Sequence, residues 1–202
     1  VEISGKELDG DKAQKLLKGK QGSEVKVAVM RPGSKGLQEF TIERGSIPIE
    51  SVTASFMVND SVGYIKVDRF AEKTYDEFMA AAEKLEDDGC SSLILDLRGN
   101  GGGLLNQAAE IVEEFLPEGR TIVKTRGMHT GEDEIRSGKE GKYKKFDVVI
   151  LIDQTSASAS EIVAGALQDW DRAVTVGRRS FGKGLVQHEM ELADNSALRL
   201  TV

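Results

Sequence analysis

The sequence predicts an α/β (α+β) protein. Strand and helix patterns alternate through residues 62–176, two of the strands are apolar along almost their whole length, and each of those two runs into a glycine- or serine-rich turn that opens a helix. Near-continuous apolar strands belong to parallel sheets covered by helices on both faces. Strand-helix-strand order implies right-handed crossovers.

Residues 1–44 read as a small unit of their own. Asp11 can cap a short helix through Leu17, with Ala13, Leu16 and Leu17 on one face. Val25, Val27 and Val29 alternate with polar residues as a half-buried strand does, and Phe40-Thr41-Ile42 gives a second strand after the Pro32-Gly33 turn. Residues 45–61, with Pro48 and no clear period, read as a connector. The second unit, 62–202, opens on the strand Tyr64-Ile65-Lys66-Val67. Thr74 and Glu77 match a capping box ahead of a helix carrying Phe78, Ala81, Ala82 and Leu85. Ser92–Leu97 and Phe146–Ile152 are the two apolar strands. The first leads through Arg98-Gly99-Asn100-Gly101-Gly102-Gly103 into a helix with Leu105, Ala109, Val112, Phe115 and Leu116. The second leads through Thr155–Ser160 into a helix with Ile162, Val163, Ala166 and Leu167, followed by the strand Ala173–Val176. Residues 127–145, charged and glycine-rich, read as a mobile surface loop.

Composition narrows the function classes. A net charge of −7 over 202 residues argues against nucleic acid as the main partner. There is no apolar run of about 18 residues to make a transmembrane helix, and no signal-peptide pattern is visible. Both ends, Val1-Glu2-Ile3 and Leu198-Arg199-Leu200-Thr201-Val202, read as strands cut midway, so the sequence is expected to be part of a longer protein, truncated at its C-terminus. One cysteine, Cys90, allows neither an internal disulfide nor a cysteine-cluster metal site, and reads as a small buried apolar residue. No metal and no cofactor is expected.

In open α/β sheets sites lie at the carboxyl ends of the strands, so both special turns point to one edge. The Gly99–Gly103 turn lacks the spacing of a phosphate loop. It can serve as a set of unobstructed backbone N–H groups for an oxyanion, or simply as a tight turn. Ser156, Ser158 and Ser160 sit at a helix start, where the local field favours an alkoxide, but Ser158-Ala159-Ser160-Glu161 is also a capping box. His129 lies in the charged loop and His188 in no apolar setting, so a Ser-His-Asp triad has little support. A lysine can be the base if burial lowers its pKa from ~10.4 to ~7.5, a preference of about 4 kcal/mol for the neutral form. Lys183 stands between Gly182 and Gly184, flanked by Phe181, Leu185 and Val186. On an extended strand Gln187 shares its face and can orient the amine.

Asp96–Gly103, Ser156–Ile162 and Gly182–Gln187, in that order, resemble the C-terminal processing peptidases, or tail-specific proteases. The likeness covers residues 45–202, and residues 1–44 resemble the later part of the PDZ domain that precedes this protease core. The resemblance implies a Clp protease/crotonase-like core and a serine endopeptidase that cleaves proteins near their C-termini. It implies Ser158 as nucleophile, Lys183 as general base and Gln187 as the lysine's partner. The implied oxyanion hole is the N–H of Ala159 with that of Gly102 or Gly103. The family's usual Asn-Pro-Gly-Gly is Asn100-Gly101-Gly102-Gly103 here, which leaves the oxyanion glycine open between the two. The implied partners are protein or peptide substrates with free C-termini, a homo-oligomer is compatible with the sequence, and the implied location is the bacterial periplasm or cell envelope. The PDZ carboxylate loop lies earlier than Val1, so this chain by itself is expected not to capture substrate tails. The alternatives are a catalytically inactive peptide-binding fragment of the family and a crotonase-like acyl-CoA enzyme, which would need neither Ser158 nor Lys183.

Overall fold

Alternating valines build the first sheet. In the computed structural model, which describes residues 2–3, 6–7, 10–45, 49–127, 131–194 and 196–201, the chain forms two units, Val1–Ile49 and Glu50–Val202. The first contains β1 (Glu2–Ile3), β2 (Lys6–Glu7), α1 (Gly10–Leu17), β3 (Glu24–Val29) and β4 (Gln38–Glu43). Its antiparallel sheet has the order β2-β1-β3-β4. Val25 and Val27 are buried, with Ala13 and Val29 packed against them. Arg44 closes the end of α1: its Nε donates to Leu17 O at 2.7 Å and its Nη2 to Leu16 O at 3.0 Å. A cation there satisfies carbonyls that the helix leaves free.

The second unit follows the alternation read from the sequence. Its elements are β5 (Val52–Met57), β6 (Val62–Val67), α2 (Thr74–Asp87), β7 (Ser92–Asp96), α3 (Leu105–Glu113), β8 (Thr121–Gly127), β9 (Gly131–Arg136), β10 (Asp147–Ile152), α4 (Ala159–Asp169), β11 (Ala173–Gly177), β12 (Gln187–Glu191) and β13 (Ala197–Thr201). The main sheet has the order β11-β10-β7-β6-β5. The pairs β6–β7, β7–β10 and β10–β11 are parallel, and β5 is an antiparallel edge. Because the parallel strands step in one direction, right-handed crossovers put α2, α3 and α4 on one face. There Ile65, Leu95 and Ile150 share a core with Phe78, Leu85, Ile111, Phe115, Val163 and Leu167.

Four expectations change. Ile94 and Val149, on the other face, are only half-buried, so the helices cover the sheet on one side rather than both. Residues 52–57, read as connector, are a strand of the sheet, held by pairing with β6 across a bulge at Val52/Ala54. Thr74 and Glu77 form no capping box. Thr74 Oγ1 accepts the Ala71 N–H and bonds Ser51 Oγ, while Glu77 Oε2 accepts the N–H groups of Ser51 and Val52, which tie β5 to α2. Residues 127–145, read as a mobile loop, hold β9, which pairs with β8, and a segment pinned to Glu114. Cys90 is buried, with its Sγ donating to Ser92 O.

Candidate active site

Three chain segments leave the carboxyl ends of three parallel strands and meet: 97–103 after β7, 153–158 after β10 and 178–183 after β11. Each has an anchor. Asp96, buried under the first segment, pairs with Arg98 at 2.7 Å and accepts the Tyr64 hydroxyl at 2.6 Å. Burial opposes its charge, but Arg98 and Tyr64 outweigh it and hold the carboxyl below the usual range. The Asn100 side chain is fully buried and bonds both ways, donating to Val67 O at 2.9 Å and accepting the Gly102 N–H at 2.8 Å. Asp153 ties the first segment to the second by accepting the N–H groups of Gly99, Thr155 and Ser156. With the Thr155 hydroxyl as the largest contribution, these bonds pull its carboxyl down to about 2.

The three serines separate by environment. Ser156 is buried and donates to Leu97 O at 2.8 Å, and Ser160 is buried and donates to Asn100 O at 3.0 Å. Both are struts between the two turns. Ser158 alone lines a cleft of about 500 Å³ shared with Lys183. Its backbone has φ 55° and ψ −113°, the left-handed side that a non-glycine residue enters at a cost of about 1–3 kcal/mol. Gly102, at φ 98°, packs directly on this turn: a Cβ there would lie 2.6 Å from Ala157 O and 2.9 Å from Ser158 Cβ. Glycine at 102 is therefore a steric requirement. Gly103 lies against Phe70, whose carbonyl a Cβ would strike. Among the described residues the Gly103 N–H and the Ala159 N–H have no partner, whereas the Gly102 N–H is engaged by Asn100.

Lys183 follows Gly182, at φ 87°. Its amine donates to Gln187 Oε1 at 3.4 Å, and Gln187 Nε2 donates to Thr201 Oγ1 at 3.4 Å. Two of the apolar flanks are open to solvent, Phe181 at 68% and Leu185 at 60% exposed, and the third, Val186, is half-buried. The flanking residues thus do not bury the lysine as the sequence reading expected. A residue read only as a helix cap holds this segment instead. Glu161 accepts the N–H groups of Ser158 at 2.8 Å, Gly182 at 2.7 Å and Lys183 at 2.8 Å, and the Ser180 hydroxyl at 2.7 Å. Its position three residues after Ser158 was the sequence signal, and it pointed to one partner of the four. His129 lies outside the described residues, and His188 lies in β12.

The sequence model of peptidase family S41 matches residues 61–202. This chain belongs to peptidase family S41. It is 37% identical over 198 residues to a carboxyl-terminal-processing protease of Synechocystis sp., spanning 96% of this chain and 46% of the relative. It is 36% identical over 205 residues to the carboxy-terminal processing protease CtpA of Bacillus subtilis, with 100% and 43% covered. The fold resembles the solved photosystem II D1 C-terminal processing protease, with a TM-score of 0.66 at 27% identity, over 100% of this chain and 56% of that one. This S41 chain thus spans less than half the length of the curated relatives it matches.

Proposed function

We propose that this S41 chain carries the catalytic centre of a serine endopeptidase that cleaves protein substrates near their C-termini. Ser158 is the nucleophile, Lys183 the general base and Gln187 the group that directs the lysine. The observation that carries this reading is the sorting of the serines: Ser156 and Ser160 are buried struts, and Ser158 lines one cleft together with Lys183. A strained serine on a sharp strand-to-helix turn is the geometry that exposes a nucleophilic hydroxyl. The relatives' names supply the C-terminal preference.

In this reading neutral Lys183 takes the proton of Ser158 Oγ as Oγ attacks the scissile carbonyl carbon. The tetrahedral oxyanion receives the N–H of Ala159, at the start of α4, and that of Gly103, both free of other partners among the described residues. Gly102 contributes by having no side chain, which lets the loop reach the nucleophile. The C–N bond breaks as the lysine returns its proton to the leaving amine. Water, deprotonated by Lys183 Nζ, then attacks the ester carbonyl, and the lysine returns that proton to Ser158 Oγ as the Oγ–C bond breaks and the acid leaves. We read residues 1–44 as the later part of a PDZ domain, a reading supported by their antiparallel sheet and, among the described residues, the one helix α1.

Cleavage of an unfolded protein by the full-length protein tests the assignment. Ser158→Ala and Lys183→Ala are each expected to lower kcat/KM by at least ~1,000-fold, since residues acting as a unit fail together. Normal turnover in either variant overturns the dyad.

A further inference from the structure

The cleft beside Ser158 has a glycine in its wall where a helix favours a side chain. α4 turns Ile162, Gly165 and Ala166 toward the cleft, and Ile122, Val123 and Trp170 line it too. Trp170 is fixed: its Nε1 donates to Thr121 O at 2.7 Å, and the Arg120 guanidinium lies 4.5 Å from the ring centroid. Gly165 is in the interior of α4 and is not among the residues of positive φ. A Cβ built on it meets nothing within 4 Å. Neither backbone conformation nor close packing therefore requires glycine, although glycine weakens a helix interior relative to alanine. Cβ atoms on a helix tilt toward its N-terminus. Any side chain at 165 would lean along the cleft toward Ser158.

We propose that Gly165 keeps open a pocket for an apolar side chain of leucine size or larger, carried by the substrate residue whose carbonyl Ser158 attacks. The proposal rests on the peptidase reading above and adds a specificity determinant to it. The seven-residue step from Ser158 to Gly165 is about 10 Å at ~1.5 Å per residue. An attack distance of ~3 Å, a side chain of about 5 Å at ~1.5 Å per bond and a contact of ~3.5 Å fill that span. An alanine methyl stops short of it. Ile122, Val123, Ile162, Ala166 and Trp170 give the cleft a mostly apolar wall, which favours an apolar occupant, while Lys124, Glu161, Asp169 and Lys183 line it as well.

The test uses the full-length protein with Gly165→Ala and Gly165→Val, and peptides identical except for Ala, Leu or Phe at the residue before the scissile bond. Wild type is expected to prefer Leu and Phe. Gly165→Ala is expected to lower the Leu-to-Ala ratio of kcat/KM about tenfold, the scale of one added methyl in an apolar pocket, and Gly165→Val more. Gly165→Ala is also expected to raise Tm by about 2–4 °C, which separates a filled pocket from a damaged fold. A second arm measures binding of the same peptides to Ser158→Ala and to Ser158→Ala/Gly165→Ala. Loss of the Leu preference in the double variant supports the pocket even if wild type cleaves nothing, in which case only the peptidase reading falls. An unchanged ratio in both Gly165 variants of an active enzyme overturns the pocket, as does equal binding of all peptides to both Ser158→Ala backgrounds.

Discussion

Glu161 shows how much a single carboxylate can organise. Each of its oxygens accepts two hydrogen bonds, Oε1 from Ser180 and Gly182 and Oε2 from Ser158 and Lys183. Burial works against its charge, but the Ser180 hydroxyl and the three backbone N–H groups hold the carboxyl below its usual value. Glu161→Gln should be far from conservative. Whichever way the amide turns, its NH2 faces two donors, and one pair of bonds is lost. The hold between the lysine segment and the turn that carries Ser158 is then weakened, with the other pair and the Phe181 N–H to Ser156 O bond still in place. Turnover is expected to fall at least tenfold, with the larger change in kcat than in KM, because the loss concerns the alignment of the two groups proposed to react rather than peptide contacts. A pH signature follows from the direction of the shift. A carboxyl lowered in the folded state stabilises the fold fully above its unfolded pKa of ~4.3, and this contribution disappears as pH falls through the folded value. The Tm difference between wild type and Glu161→Gln should therefore be largest near neutrality and shrink below about pH 4. A difference that is constant down to about pH 3 would show that the charge of Glu161 is not what holds the segment.

At the scale of elements, the sequence revealed those that periodicity dictates and hid those that partners dictate. β7 and β10 are apolar runs, and α2, α3 and α4 carry apolar residues at helical spacing, so their burial and order were readable. β9 is Gly-Glu-Asp-Glu-Ile-Arg, with no apolar alternation, and exists because β8 lies beside it. β5 carries the small residues Thr53, Ala54 and Ser55 at its centre and is interrupted by a bulge. The site divides in the same way. The motifs marked the three segments, but which of three serines faces the cleft depends on Leu97 O and Asn100 O, carbonyls about 60 residues away in the chain that no local pattern encodes. Glu114 belongs to the hidden class. Its side chain is 2% exposed, and it accepts the Tyr75 hydroxyl at 2.6 Å, Lys139 Nζ at 2.6 Å and the Lys142 N–H at 3.2 Å. Glu114→Ala strands the tyrosine hydroxyl and a backbone N–H, while Lys139, half-exposed, returns to water. The expected loss is about 1–3 kcal/mol in urea denaturation, with residues 137–145 becoming the first site of proteolytic nicking. Wild-type stability together with an unchanged cleavage pattern would show that the segment is held by other contacts.

At the scale of the whole molecule, apolar burial is unequally divided. The larger unit encloses a continuous core from Ile65 to Leu167, including Phe78, Phe115 and Tyr143. In the smaller unit the buried apolar side chains, among the described residues, are Val25 and Val27, while Phe40, Ile42, Leu16 and Leu17 remain substantially exposed. Each apolar side chain fully removed from water contributes about 1.5–3 kcal/mol, against a backbone ordering cost of about 1–2 kcal/mol per residue. The smaller unit thus has little surplus, and the two units should not unfold together. The chain's one tryptophan, Trp170, follows α4 in the larger unit, so its fluorescence reports that unit alone. Amide hydrogen exchange in β3 and β4 reports the other. In rising urea, exchange protection at 24–29 and 38–43 is expected to vanish at a clearly lower concentration than the Trp170 transition. Protection at 93–96 and 148–152, in the two central strands, should persist to the Trp170 midpoint. Coincident loss of protection in both sheets would mean that the smaller unit draws its stability from the larger one, and that the molecule unfolds as one cooperative body.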